Sequence, residues 1–198
     1  MRGGAKILRP EHPVVQVEYP DWTDSVVDWN RSYGSDEERM RLAIAISRAN
    51  VERRSGGPFG AAIFEAPSGR VVSIGMNSVV RYQNCTLHAE MVAVMMAQRR
   101  VGSFTLNTPH LAAHELFTSC EPCAMCLGAM PWSGVRRLVC GAGREDASRL
   151  KFEEGPVFPE SYQYLEQRGL VIVRNVLRED ARAVMDLYRA KSGEIYNG

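Results

Sequence analysis

The sequence carries no surplus of charge of either sign. Across its 198 residues, 24 Lys and Arg face 23 Asp and Glu, a formal net charge of +1. A protein that grips nucleic acid or an anionic membrane through broad electrostatics needs a basic excess, so neither partner is expected. No stretch reaches the ~18 consecutive apolar residues of a membrane-spanning helix. The opening MRGGAKILRP also lacks the continuous apolar segment of a secretory signal. Internal repeats and low-complexity tracts are missing as well. Cysteine is scarce and odd in number: there are five, three of them at 120, 123 and 126. That is a poor disulfide framework and a better metal or thiol site in a reducing compartment, so a cytoplasmic location is expected.

What is present suits one soluble domain. The chain is 45% hydrophobic and 24% charged, and its length fills one core comfortably but hardly two. Residues 1–34 read as an N-terminal arm, with Tyr19, Trp22 and Trp29 among Asp21, Asp24 and Asp28. Aromatics are uncommon in disordered tails, so the arm is expected to pack on the body or on a partner subunit. A domain then runs from 35 to 198. SDEERMRLAIAISRANVERR opens it as a helix, with Ser35 as N-cap and Glu38 three residues on. PFGAAIFE (58–65) and RVVSIGMNSVV (70–80) form a hairpin, HAEMVAVMMAQRR is a helix, and HELFTSC (114–120) is a strand. PCAMCLGAM is a helix with Pro122 in its first turn, and RRLVCGA (136–142) is a strand parallel to 114–120. SYQYLEQRG, LVIVRNVL and EDARAVMDLYRAK read as helix, strand and helix. The fold class is α/β: a three-layer sandwich whose mixed sheet has about five strands.

The chemistry concentrates in SCEPCAMC, residues 119–126. Cys123 and Cys126 lie three apart at a helix N-terminus, where partial positive charge favours thiolates. Cys120 ends the preceding strand and is oriented by strand geometry, so the working pair is Cys123 with Cys126. Cys85 and Cys140 are read as small buried hydrophobes. About 33 residues upstream, TLHAE places His88 and Glu90 at the start of another helix. H-x-E followed by P-C-x-x-C resembles the signature of zinc-dependent deaminases. The physical logic agrees. One imidazole and two thiolates hold a tetrahedral zinc and leave the fourth position for a water or hydroxide, while a glutamate that is not a ligand moves protons. His110 and His114 are a rival histidine pair, but Pro109 and the strand after it deny them a shared helical face.

On these motifs the chain resembles the cytidine-deaminase-like superfamily over residues 36–190, and within it the bacterial guanine deaminases. The resemblance implies His88, Cys123 and Cys126 as ligands of one Zn²⁺ per chain, Glu90 as proton shuttle, and the amide of Ala89 as a substrate contact. IGMNSV matches a G-x-N element whose asparagine, Asn77 here, touches substrate. CLGAMPW puts Trp132 six residues after the last ligand, against the bound purine. KFEEGP puts Glu154 in the pocket as a second carboxylate, reading the N1–H and 2-amino edge of guanine. The C-terminal EIYNG is similar to tails that cover the active site with a tyrosine, here Tyr196. The implied activity is zinc-dependent hydrolysis of guanine to xanthine and ammonia in a homodimer, with related amino-heterocycles such as aminotriazines as side substrates. PCAMC also occurs in tRNA adenosine deaminases, and guanosine and cytosine deaminases remain open. So does a non-catalytic structural zinc module.

Overall fold

The structure, a computed structural model, describes residues 14–197. The first thirteen residues of the arm and Gly198 lie outside the described residues. Five strands form one mixed sheet: β1 (Gly60–Glu65), β2 (Val71–Met76), β3 (His114–Cys120), β4 (Arg137–Ala142) and β5 (Val171–Val173), in the order β2-β1-β3-β4-β5. β1 is antiparallel to both β2 and β3, whereas β3, β4 and β5 run parallel. The expected α/β sandwich is therefore present.

Strand alternation sorts the side chains into two cores. Ala62, Phe64, Phe117 and Val139 point to one face, where α1 (Asp36–Glu52) and α7 (Arg178–Ala190) cover them. Ala61, Ile63, Leu116, Leu138 and Cys140 point to the other, beneath α3 (Ala89–Val101), α4 (Ala124–Ser133) and α6 (Pro159–Gln167). The apolar LAIAI run of α1 is enclosed because the arm lies on the side the sheet does not reach. Trp22, Val27 and Tyr33 are buried in the same cluster. The arm also shields the outer strand: the Tyr19 hydroxyl donates to Ile74 O (3.0 Å) and accepts from Ile74 N (3.2 Å) on β2. Occupying unpaired groups on an edge strand blocks pairing with another chain.

Three boundaries differ from the sequence reading, each for a local reason. Val79 and Val80 do not extend β2. They belong to α2 (Val79–Tyr82), because pairing stops at Met76 and Gln83 closes the turn in a left-handed conformation. Pro122 precedes α4 rather than sitting in its first turn, since Cys123 is extended (φ −67°, ψ 174°) and serves as N-cap. β5 keeps only three residues, pairing with β4 alone at the sheet's far edge. Ser35 does cap α1, accepting from Glu38 N at 3.2 Å, while the Glu38 carboxylate turns to Gly34 N.

After β4, the five-residue helix α5 (Arg144–Ser148) reverses the chain toward residues 151–155. Asp146 secures that reversal. Its buried carboxylate accepts from Gly143 N (3.0 Å) and Arg178 Nε (2.9 Å), tying β4, α5 and α7 together. Burial pushes the carboxyl up, but Arg178 and the Gly143 amide outweigh it and hold it below the ordinary aspartate range. Asp146→Ala is expected to cost ~2 kcal/mol, the scale of a hydrogen bond to a charged group, and lower Tm by about 4–8 °C at neutral pH. A carboxylate with a lowered pKa contributes above its unfolded pKa and loses that contribution as pH falls through the folded one. Thermal melts from pH 7 down to 3 should therefore show the gap between variant and parent closing with acid. A gap that persisted at low pH would contradict this role.

Candidate metal centre and catalytic cavity

Two helices begin with a metal-ligand type at their N-caps. His88 caps α3 and Cys123 caps α4, both extended and neither making a side-chain capping bond. Cys126, three residues on, turns back to the same point. His88 Nδ1 lies 3.4 Å from Cys123 Sγ and 3.6 Å from Cys126 Sγ, and the three ligand atoms all lie within 4.8 Å of one another. Tetrahedral bonds of about 2.3 Å to sulfur and 2.0 Å to nitrogen place N and S about 3.5 Å apart. The donor set and its spacing therefore fit zinc. It is the one such group among the described residues.

Thiol electrostatics separate the pair from its neighbour. The hydrogen bond from Cys126, and then His88, hold the Cys123 thiol down at about 4 against its burial. Cys126 is pushed up as the donor of that bond, then by burial and by Glu90. Burial pushes Cys120 up too, with Glu154 and Glu90 adding to it, and its Sγ faces Gly143 O at 3.6 Å. Cys120 is beside the cluster but outside it.

These groups open into a cavity of about 250 Å³ that also takes in Asn77, Glu90, Glu154, Phe59 and Tyr196. Glu90 is buried; its Oε1 accepts from Thr118 Oγ1 (3.1 Å) and its Oε2 from Cys126 Sγ (3.5 Å). Burial first and then the negative Cys123 raise its pKa. Burial, Cys123 and Glu90 push Glu154 up to about 8. The loop carrying Glu154 is stitched to the metal helix, because Ala124 N donates to Glu154 O at 2.8 Å. Phe152 anchors the same loop, packed edge-on against Phe59 (5.1 Å) and tilted against Tyr196 (5.0 Å). Asn77 is buried, and its carbonyl accepts from Asn50 Nδ2 at 2.9 Å. Ala89 is the first residue of α3, where a helix amide has no partner within the helix.

The structure thus brings His88, Glu90, Asn77, Cys123, Cys126 and Glu154 together, while Ala89, between the first two in sequence, is buried in the core and does not line the cavity. It does not bring Trp132. That residue is 79% exposed and borders a different cavity with Tyr164 and Leu165. The reason is helical: six residues past Cys126 rotate about 240° at about 100° per residue, so Trp132 leaves the face of α4 that presents the thiol. Cys85 is likewise exposed at the cavity rim rather than buried, whereas Cys140 is buried as expected. His114 is buried at the start of β3 and His110 is exposed, so they share no site. The sequence reading missed Thr118, which fixes Glu90, and Asn50, which fixes Asn77. Strand alternation was the available signal for Thr118, since it shares the α3-facing side of β3 with Leu116.

An α/β/α sandwich with an imidazole and two thiols converging at adjacent helix N-termini, beside a buried glutamate, defines a zinc-binding deaminase class. The chain belongs to the cytidine and deoxycytidylate deaminase family, matching its zinc-binding region over residues 34–142. It is 31% identical over 143 residues to a guanine deaminase of Bacillus subtilis, covering 72% of this chain and 87% of that one. A solved guanine deaminase from Nitrosomonas europaea superposes with a TM-score of 0.85 at 37% identity, covering 89% of this chain and 97% of that one. A tRNA-specific adenosine deaminase of Buchnera aphidicola is 28% identical over 154 residues, or 76% of this chain and 93% of that one.

Purified protein is expected to hold about one zinc per chain. Cys123→Ala and Cys126→Ala should each lose most of it, and Cys120→Ala should retain it, as read by elemental analysis on folded material. Zinc lost from the Cys120 variant would mean a three-thiolate site.

Proposed function

We propose that this chain deaminates guanine hydrolytically, with water replacing the 2-amino group to give xanthine and ammonia. The observation that carries the reading is Glu154: of the four glutamates lining the cavity, Glu90 stands at the metal cluster, Glu121 is paired with Arg144 and Arg174, Glu153 is exposed, and Glu154 is half-buried in the same lining as His88 and Cys123. Deaminating an amine takes one proton-carrying carboxylate; a second one suits guanine. The N1–H and 2-amino groups present adjacent donors, and a carboxylate accepts from both. A base lacking that edge would leave the half-buried Glu154 unpaired, which is a basis for rejection. The similarity to guanine deaminases supports the same choice.

Zinc held by His88, Cys123 and Cys126 would supply a water acidic enough to react near neutral pH. Glu90 takes one proton from the attacking water and passes it to ring nitrogen N3, where the product keeps it; it then takes the second proton from the new C2 hydroxyl and delivers it to the departing amine as the C2–N bond breaks and the C2 carbonyl forms. Thr118 holds Glu90 in place while this happens. Asn77 fixes a remaining polar edge of the purine. The cavity, about 250 Å³, falls below the usual ~300–1,000 Å³ of small-molecule pockets and suits a single heterocycle. Tyr196 closes its rim with a buried hydroxyl that has no hydrogen-bond partner among the described residues. In this reading residues 35–198 are the catalytic domain and 1–34 an appended arm. The protein acts in the cytoplasm as a homodimer, an arrangement supported by the exposed Trp132 and Tyr164 on one face.

Ammonia release should be measured from guanine, guanosine, adenine, cytosine and a tRNA anticodon stem-loop. Guanine is expected to turn over fastest. Glu90→Gln should lower kcat by about 10²–10⁴ with zinc retained. Turnover of the stem-loop alone would move the assignment to a tRNA deaminase. Zinc-replete protein inactive on every substrate would favour a structural metal site.

A further inference from the structure

The segment 193–197 borders two cavities. Tyr196 and Asn197 border the catalytic one, while Gly193 and Glu194 wall a second, of about 380 Å³. Three cationic side chains converge on this second cavity from three parts of the chain: Arg54 after α1, Arg81 on α2, and Lys191 just past α7. Among the described residues none of the three joins an ion pair with an acid. Glu194 is the one acid in the wall. Like charges gathered in a concavity raise the local concentration of an anion and repel one another without it.

Arg81 is held in place at the cavity, its Nη2 donating to Glu18 O (2.9 Å) and Ser78 Oγ (3.3 Å). Arg54 and Ser192 both line the cavity and both hold left-handed backbone, each with φ 54°, as the residues that terminate α1 and α7. The hydroxyl of Ser192 and the wall formed by Val51, Val80 and Tyr188 complete a pocket for an anion carrying a less polar body.

We propose that this cavity binds a small phosphate-bearing anion, either inorganic phosphate or a nucleoside monophosphate, and that its occupancy is transmitted to the catalytic cavity through residues 193–197. The link is physical. The Tyr188 hydroxyl donates to Glu194 O at 2.5 Å, and Gly193 lies so close to the Tyr188 ring that a Cβ there would come within 2.3 Å of it. A ligand seated on Tyr188 and Glu194 bears on the turn from which Tyr196 hangs. Asn197 carries that position onward, accepting from Glu153 N (3.0 Å) and donating to Lys151 O (2.8 Å) on the loop that bears Glu154. Only this second part of the proposal rests on the assigned reaction.

The test uses zinc-loaded full-length protein, titrated by calorimetry with inorganic phosphate and with GMP against a chloride control. Its partner is an Arg54→Gly/Lys191→Ala double variant, in which glycine suits the left-handed backbone and neither site borders the catalytic cavity. Saturable binding is expected in the parent, weakened at least about tenfold in the variant, with equal melting temperatures and equal guanine turnover in the absence of ligand. Binding of both probes assigns the site to the phosphate group alone, and binding of GMP only assigns it to nucleotides; either supports the proposal. No saturable binding up to about 10 mM, or equal affinity in the variant, overturns it. Phosphate should also shift KM or kcat for guanine in the parent and not in the variant. Binding with no such shift overturns the coupling and leaves the site standing, and the binding arm reads out even if guanine is not a substrate.

Discussion

The site depends on how closely two helix ends approach the sheet, and that approach is set by steric room. The start of α3 presses onto β2 at Gly75, where a Cβ would come within 1.9 Å of Ala89 O. Any side chain there would drive His88, Ala89 and Glu90 away from Asn77, which lies two residues on, just past the end of β2. α1 makes the matching approach at Gly60, where a Cβ would meet Ala43 O at 2.4 Å. The other half of the centre, α4, is delivered by the parallel crossover between β3 and β4. Its N-terminus must emerge at the C-terminal end of β3, beside the start of α3. Close packing here is what makes three ligand atoms converge.

Convergence has an electrostatic consequence. Cys123, Glu90 and Glu154 share one partly buried space: beyond burial, Cys123 pushes both carboxyls upward, and Glu90 adds to the rise at Glu154. A buried cluster of potential anions is unfavourable unless a cation joins it. The helix N-termini supply part of that positive potential, and His88 supplies hydrogen-bonding. A divalent ion held by His88, Cys123 and Cys126 would supply the remainder and return both carboxyls toward their ionised forms. The polar supports, Thr118 on Glu90 and Asn50 on the Asn77 carbonyl, then hold the geometry without adding charge.

Much of this was legible in the sequence, for identifiable reasons. Ligand residues at helix starts leave a local signature, since capping, proline placement and i to i+3 spacing are short-range. The strand and helix order was readable because alternation and helical periodicity are likewise local. Trp132 shows where reading by spacing fails: a distance along the chain does not specify a face, and the turn of α4 carries it outward. Cys85 fails differently, because burial depends on what packs above a loop. The clip made by Asn197 on Lys151 and Glu153 joins residues more than forty positions apart. No local pattern announces such a contact. The pairing of Tyr19 with the edge of β2 is of the same kind.

The central claim is that three protein ligands, and no fourth, surround the metal. X-ray absorption at the zinc edge of the purified protein measures this directly. The account predicts a first shell of one nitrogen, two sulfurs and one light atom not supplied by the chain, the last changing when a purine analogue is added. A shell of three sulfurs, or one unchanged by any purine analogue, would contradict it and make the centre a structural clasp.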